Sequence, residues 1–204
     1  TNILDDLTHE MRLNCGEKIL NALLYSSIYL CFMRVFLISD NHGYAGKEIF
    51  KYARLADEIW HAGDWLNTDL ILALEKLNKP IRSVWGNVDS HEIRTIYPLH
   101  NTFLAEGLKV LITHIGGYPG KFNSKIKPVL AEEKPDIFVC GHSHILRVQR
   151  DKSGMLCLNP GACGVHGFHK MRTALQFEIN EGKVEKMEAI EFGLRAKMPE
   201  DFVE

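Results

Sequence analysis

The sequence offers no cysteine pairing, almost no net charge, and no hydrophobic run that is both long and uninterrupted. Its five cysteines (Cys15, Cys31, Cys140, Cys157 and Cys163) are odd in number and form no CxxC. That argues against a disulfide framework and against a structural zinc knuckle, and makes a reducing cytoplasm the expected location. Lys and Arg number 24 against 26 Asp and Glu, so bulk charge draws the chain neither to nucleic acid nor to an acidic membrane, and no stable nucleic-acid binding is expected. The most apolar segment, residues 19–38, reads ILNALLYSSIYLCFMRVFLI. Asn21, Ser26, Ser27 and Arg34 interrupt it, and no small-residue cleavage site precedes the following SDNHG, so neither a membrane span nor a leader is expected. Repeats and low-complexity tracts are also lacking.

What is present is an ordinary globular composition in 204 residues, enough for one domain with a substantial core. Met33 opens a stretch, MRVFLISDNHG, typical of a buried first strand. The expected organisation is an N-terminal extension over residues 1–32, helical in character, one domain over 33–192, and a C-terminal tail over 193–204. Short β-branched runs alternate with helical stretches in the first half: RVFLI, then a helix over 43–55, EIWHA, then a helix over 67–77 with Asn67 as its cap, then IRSVW. That order favours parallel strands joined by crossover helices. The second half is rich in hairpins, with turns expected at Glu106-Gly107 and Glu181-Gly182, a helix over 124–134, and the strands DIFVC, ILRVQRD and MLCLN. Parallel units followed by hairpins predict an α/β protein with mixed sheets and helices outside.

Chemistry gathers at the strand ends. RVFLI is followed by Ser39-Asp40-Asn41-His42-Gly43, EIW by His61-Ala62-Gly63-Asp64, IRSVW by Gly86-Asn87-Val88-Asp89, KVLI by Thr113-His114, and DIFVC by Gly141-His142-Ser143-His144. In open α/β sheets the carboxyl ends of strands line the ligand crevice, so residues far apart in sequence can meet there. In an extended segment residues i and i+2 project to one side, so Asp40 with His42, and His142 with His144, would each offer two ligands to one region. Each motif alone is ordinary turn chemistry. Four histidines and two aspartates directly after strands are not, and they point to metal ligation.

The ordered series Asp40-x-His42, Gly63-Asp64, Gly86-Asn87, His114 and Gly141-His142-x-His144 resembles the calcineurin-like metallophosphoesterase superfamily, in particular its small lid-less bacterial and archaeal phosphodiesterases. The resemblance implies a four-layer α/β/β/α sandwich with two mixed sheets and two divalent metal ions. One ion would be held by Asp40, His42 and His144, the other by Asn87, His114 and His142, with Asp64 bridging. Asp64, Asn87 and His114 would also be the catalytic residues. The implied reaction is hydrolysis of phosphodiester, or phosphomonoester, bonds of a small soluble substrate by a hydroxide held between the ions. Two divalent cations set against two carboxylates leave a surplus of about two positive charges for hydroxide and phosphate. The N/O donor set suits Mn2+ first, with Ni2+, Fe2+, Zn2+, Co2+ and Mg2+ as alternatives.

One position departs from larger relatives, where a histidine follows the Gly-Asn pair; here it is Val88, which cannot protonate a leaving group. His91, His166 and His169 are candidate substitutes. His166 and His169, in the loop NPGACGVHGFHK, are also candidate substrate-binding residues, while Asp89 and His61 are expected to orient ligands by hydrogen bonds. Trp60, Trp65 and Trp85 are expected to pack beneath the site. Exposed hairpin edges make a homo-oligomer an expectation. The contrasting reading is a protein-interaction scaffold with the same fold, as in the retromer subunit that resembles this branch; seven intact ligand positions favour the enzyme.

Overall fold

The computed structural model describes residues 32–195, so the expected helical extension and most of the expected tail lie outside the described residues. The chain divides after Phe32, and the unit beginning at Met33 carries all that follows. Its elements are β1 (Met33–Ile38), α1 (Lys47–Ala53), β2 (Glu58–His61), α2 (Asp69–Glu75), β3 (Ile81–Ser83), α3 (His91–Ile96), β4 (His100–Ala105), β5 (Leu108–Thr113), β6 (Gly117–Tyr118), β7 (Lys121–Phe122), α4 (Ile126–Glu133), β8 (Ile137–Val139), β9 (Leu146–Arg150), β10 (Leu156–Pro160), β11 (Met171–Asn180) and β12 (Lys183–Leu194).

They form two five-stranded mixed sheets, ordered β12-β11-β1-β2-β3 and β4-β5-β8-β10-β9. β1, β2 and β3 run parallel, as do β5, β8 and β10; β11 and β12 on one sheet and β4 and β9 on the other are antiparallel additions. Strand alternation assigns the layers. Val35 and Leu37 of β1 pack with Trp60, Leu175 and Phe177 against Val110, Ile112, Val139 and Leu158 of the other sheet. The intervening Phe36 and Ile38 face the other way, onto Ile49 and Ala53 of α1 and Leu70, Ile71 and Leu74 of α2. Leu111 and Phe138 cover the second sheet's outer face beneath Ile126 of α4. Sheets buried on both faces need near-continuous apolar strands, which is why β1 and β8 lack polar alternation.

The helices are shorter than the sequence predicts. Asn67 lies outside α2, yet its Oδ1 accepts the Asp69 N–H at 3.2 Å. The short helix α3, capped by Ser90, and the β6–β7 hairpin were not anticipated. Both two-residue hairpin turns are as expected, with Glu106 and Gly107 at φ 45° and 83° and Glu181 and Gly182 at 48° and 73°, the left-handed pair that a twisted hairpin requires. Residues 33–38 of the apolar segment form β1, and among the described residues no helix is long and apolar enough to cross a membrane.

Candidate metal centre

β1, β2, β5 and β8 end at one pole, and each hands its chain to a loop bearing a candidate ligand. The loops are sewn together through their backbones. Asp40 N–H donates to Gly63 O at 3.0 Å, His42 N–H to Asp64 O at 3.1 Å, Gly43 N–H to Trp65 O at 2.8 Å, Gly141 N–H to His114 O at 3.0 Å and Gly164 N–H to Asp40 O at 3.2 Å. This zipper supports an unusual backbone. Asp40, His42, Asp64, His142 and His144 all have positive φ, between 46° and 65°, a conformation costing a non-glycine residue roughly 1–2 kcal/mol. Residues i and i+2 therefore converge because both are left-handed, not because the segment is extended as the sequence suggested. Such strain persists only where the surroundings over-determine it, and it concentrates at functional sites. Gly141 is needed for packing: a Cβ there would collide with the Ser39 hydroxyl and crowd Asp40 Oδ2 at 2.8 Å.

The side chains assemble into two groups, Asp40 with His42 and His144, and Asp64 with His114 and His142, the ligand atoms within each lying no more than 4.8 Å apart. Asp40 is wholly buried. Its Oδ2 accepts the Ser39 hydroxyl at 2.6 Å and the His142 N–H at 3.1 Å. Its Oδ1 has no hydrogen-bond partner, though His144 Nε2 stands 3.2 Å away and His42 Nε2 4.0 Å away. An unpaired buried carboxylate oxygen is costly, and one facing imidazole nitrogens fits a cation.

Asp64 lies between the groups. Its Oδ2 is 3.2 Å from His114 Nε2 and 3.9 Å from His42 Nε2, while Oδ1 accepts the Val88 N–H at 3.0 Å. His114 Nδ1 faces the Ala62 carbonyl at 2.7 Å, so that nitrogen carries a proton. Its Nε2 then meets two acceptors, Asp64 Oδ2 and Asn87 Oδ1 at 3.1 Å. Three lone pairs converging on one point require positive charge among them, supplied by a second proton on the ring or by a metal ion. Burial alone would lower the affinity of His114 for that proton, but the Asp64 hydrogen bond and the Asp40 and Asp64 charges raise its pKa above 6.5. For Asp64, burial pushes the carboxyl up and the His114 contact with the Val88 N–H brings it below 3.8. His42 and His142 are lowered, chiefly by burial. The donor set is carboxylate, imidazole and amide oxygen without thiolate, which suits first-row divalent ions. Burial pushes the Cys140 thiol up to about 12.

The surrounding residues fall where their types allow. Asp89 accepts the N–H groups of Asp64 at 3.1 Å, Gly86 at 2.6 Å and Leu66 at 2.8 Å, tying the β2 loop to the β3 loop. His61 accepts the Gly63 N–H through Nδ1 and donates from Nε2 to Asn41 Oδ1 at 3.1 Å, with its ring stacked on Trp65 at 3.4 Å. Burial, then His114, holds its pKa well below 6.5, so His61 is neutral. Trp60 and Trp65 are fully buried as expected, and Arg94 lies over the half-buried Trp85 ring. His169 stands with Nδ1 3.2 Å from His144 Nδ1 and Nε2 3.1 Å from Gly164 O. His166 and His91 are exposed and belong to neither group. Two contributors escaped the sequence reading: the Ser39 hydroxyl, and the brace formed by Arg172, Glu48 and Tyr44. In that brace Glu48 Oε1 accepts from Arg172 at 2.6 Å and from the Tyr44 hydroxyl at 2.7 Å, behind the Asp40 loop. Nothing in the spacing of residues 44, 48 and 172 signals their meeting.

Comparison with known proteins agrees with this architecture. The sequence is 31% identical over 136 residues to a probable metallophosphoesterase of Methanothermobacter thermautotrophicus, covering 64% of this chain and 77% of that protein. It is 26% identical over 147 residues to a phosphodiesterase of Methanocaldococcus jannaschii, covering 64% of this chain and 84% of that one. Zinc-complexed Vps29 of Entamoeba histolytica shares the fold with a TM-score of 0.59 at 17% identity, covering 79% of this chain and 100% of the other. The family description that matches residues 33–182 is the calcineurin-like phosphoesterase superfamily domain, and over that span, most of its length, the chain belongs to this metallophosphoesterase superfamily.

Proposed function

We propose that this protein is a binuclear metal-dependent phosphodiesterase acting on small phosphoesters, with its domain spanning residues 33–192. The observation that carries the reading is the pair of candidate ligand groups with Asp64 Oδ2 near both, 3.2 Å from His114 Nε2 and 3.9 Å from His42 Nε2, where a cation would satisfy the carboxylate and imidazole atoms that face one another. In this reading Asp40, His42 and His144 hold one ion, and Asn87, His114 and His142 the other. Asp64 joins them. Paired divalent ions supply Lewis-acid stabilisation of phosphoryl oxygens and lower the pKa of a bound water. The chain's own groups do the rest. Ala62 O keeps the His114 proton on Nδ1 so that Nε2 stays available, Ser39 and the His142 N–H pin Asp40, and Val88 N–H pins Asp64 Oδ1. With valine at position 88 no acid follows Asn87, so esters with acidic leaving groups are the expected substrates. Mn2+ as the resident ion and a cytoplasmic setting belong to the same proposal.

A protein-docking reading of the same fold draws support from the exposed Val88, Ile115 and Ile145, each one residue from a ligand position, at 39%, 40% and 58% exposure. Metal rescue separates the two. Chelator-stripped protein and Asp64→Asn would be assayed with Mn2+, Ni2+, Mg2+ and Zn2+ on a nitrophenyl diester and its monoester. Metal-restored diester turnover lost in the variant supports the enzyme; two bound ions without turnover favour docking.

A further inference from the structure

We infer that His169 is a positioning residue that fixes the tautomer of His144 through an imidazole–imidazole hydrogen bond, and does not itself act on substrate. The inference rests on the proposed role of His144 as a metal ligand.

The donor and acceptor logic starts at Gly164. Its carbonyl can only accept, so His169 Nε2, 3.1 Å away, carries the proton. The neutral ring then presents a bare Nδ1 to His144 Nδ1 at 3.2 Å. One proton must lie between those two nitrogens, and it belongs to His144. That leaves His144 Nε2 as a lone pair directed into the ligand group, 3.2 Å from both Asp40 Oδ1 and His42 Nε2. The opposite arrangement, with the proton on His144 Nε2, would leave two bare Nδ1 lone pairs facing each other at 3.2 Å.

His169 is itself held rigidly. The Arg195 guanidinium donates from Nε to the His169 carbonyl at 3.0 Å, and Arg195 N–H donates to Lys170 O at 2.9 Å. The two rings meet edge to face, with centroids 5.1 Å apart and planes at 72°. Gly167 makes the approach possible: it sits at φ 126°, and a Cβ there would collide with His144 Nδ1. Metal-bound histidines commonly donate their second N–H to a carboxylate, a carbonyl or water. A neutral imidazole fills that place here, and because both of its nitrogens are engaged, His169 has no free donor for a leaving group.

Two measurements test this. Long-range 1H–15N correlation spectra of the metal-free wild-type protein read each ring's tautomer directly; His144 protonated at Nδ1 and His169 at Nε2 are expected. Calorimetric Mn2+ titration of stripped wild type, His169→Ala and His169→Asn reads the consequence. Wild type should bind two ions. The alanine variant should hold one of them 10–100-fold more weakly and leave the other unchanged, and asparagine, which keeps an acceptor near the Nδ1 position, should restore most of the loss. His144 protonated at Nε2, unchanged affinities for both ions in His169→Ala, or equal weakening in the alanine and asparagine variants would overturn the inference while leaving the metal centre intact. Failure of wild type to bind any ion would overturn the inference and the proposed function together.

Discussion

The Asp40–His42–His144 group leaves a buried oxygen, Asp40 Oδ1, without a hydrogen bond. In both groups a carboxylate oxygen stands 3.2 Å from an imidazole Nε2, Asp40 Oδ1 from His144 and Asp64 Oδ2 from His114, but His114 Nε2 also meets an amide oxygen, Asn87 Oδ1 at 3.1 Å. The residue types are the same and the electrostatic balance is not. The first group holds its ligands open, pinned from behind by Ser39 and His169. In the second, the Ala62 carbonyl keeps a proton on His114 Nδ1, and against the effect of burial the Asp64 and Asp40 carboxylates raise the ring's affinity for a further proton on Nε2. A cation entering the first group would relieve an unmet oxygen; a cation entering the second would compete with that proton. Carboxylate and imidazole alone do not set the readiness of a site; what stands behind each ligand atom does.

The largest effect on this contrast should come from Asp40→Asn. Removing the charge of the open group should abolish one of two bound Mn2+ ions and lower diester turnover by about 10³-fold or more, equivalent to several kcal/mol of transition-state stabilisation. Two ions and near-native turnover in the variant would show that the unmet oxygen is not a ligand. Glu48→Ala comes next. It strands the Arg172 side chain, 1% exposed, and should destabilise the fold by about 3–5 kcal/mol, read by urea unfolding. The same carboxylate predicts an acid limb. Burial would raise Glu48, but Tyr44, its own backbone N–H and Arg172 hold it below 4.5. Its contribution is therefore complete above pH 4.5 and disappears as pH falls through the lower folded value. Glu48→Gln should flatten that limb of the stability curve, and an unaltered limb would remove Glu48 from the account.

Asp89→Asn tests the other side. It places an amide where three backbone N–H groups are received, and should cost about 1–3 kcal/mol while weakening the ion at Asp64–His114–His142 more than its neighbour. Equal weakening of both ions would show that the two loops are not braced separately. The smallest effect is graded. Below the raised pKa of His114 each ion entering its group displaces one proton, so affinity there should fall about tenfold per pH unit and level off above it. The Asp40 group should show a shallower dependence in the same titrations, and identical slopes would erase the distinction.

Much of this centre was legible because its parts have strong local signatures. Each ligand follows an apolar strand, so β1, β2, β5 and β8 announced where Asp40, Asp64, His114 and His142 would stand. Both Gly-containing hairpin turns were as readable. The route by which Asp40 and His42 converge was not: period-2 reasoning suits an extended chain, whereas both residues are left-handed, a state imposed by backbone bonds to residues 63–65. His169 was visible as a histidine near the site, but its partner was not. A ring 25 residues from His144 in sequence gives no sign of which nitrogen it will meet.

Strand hydrophobicity and strand-end chemistry are local properties carried by neighbouring residues, and they were enough for the layered α/β architecture and for the inventory of candidate ligands. The balance among those candidates came from long-range contacts alone: the unmet oxygen of Asp40, the carboxylate and amide oxygens around His114 Nε2, the imidazole behind His144, and the Glu48–Arg172 brace. Those depend on distances of about 3 Å between residues as many as 124 positions apart, and hydrogen-bond energies change steeply over fractions of an ångström that no sequence spacing encodes.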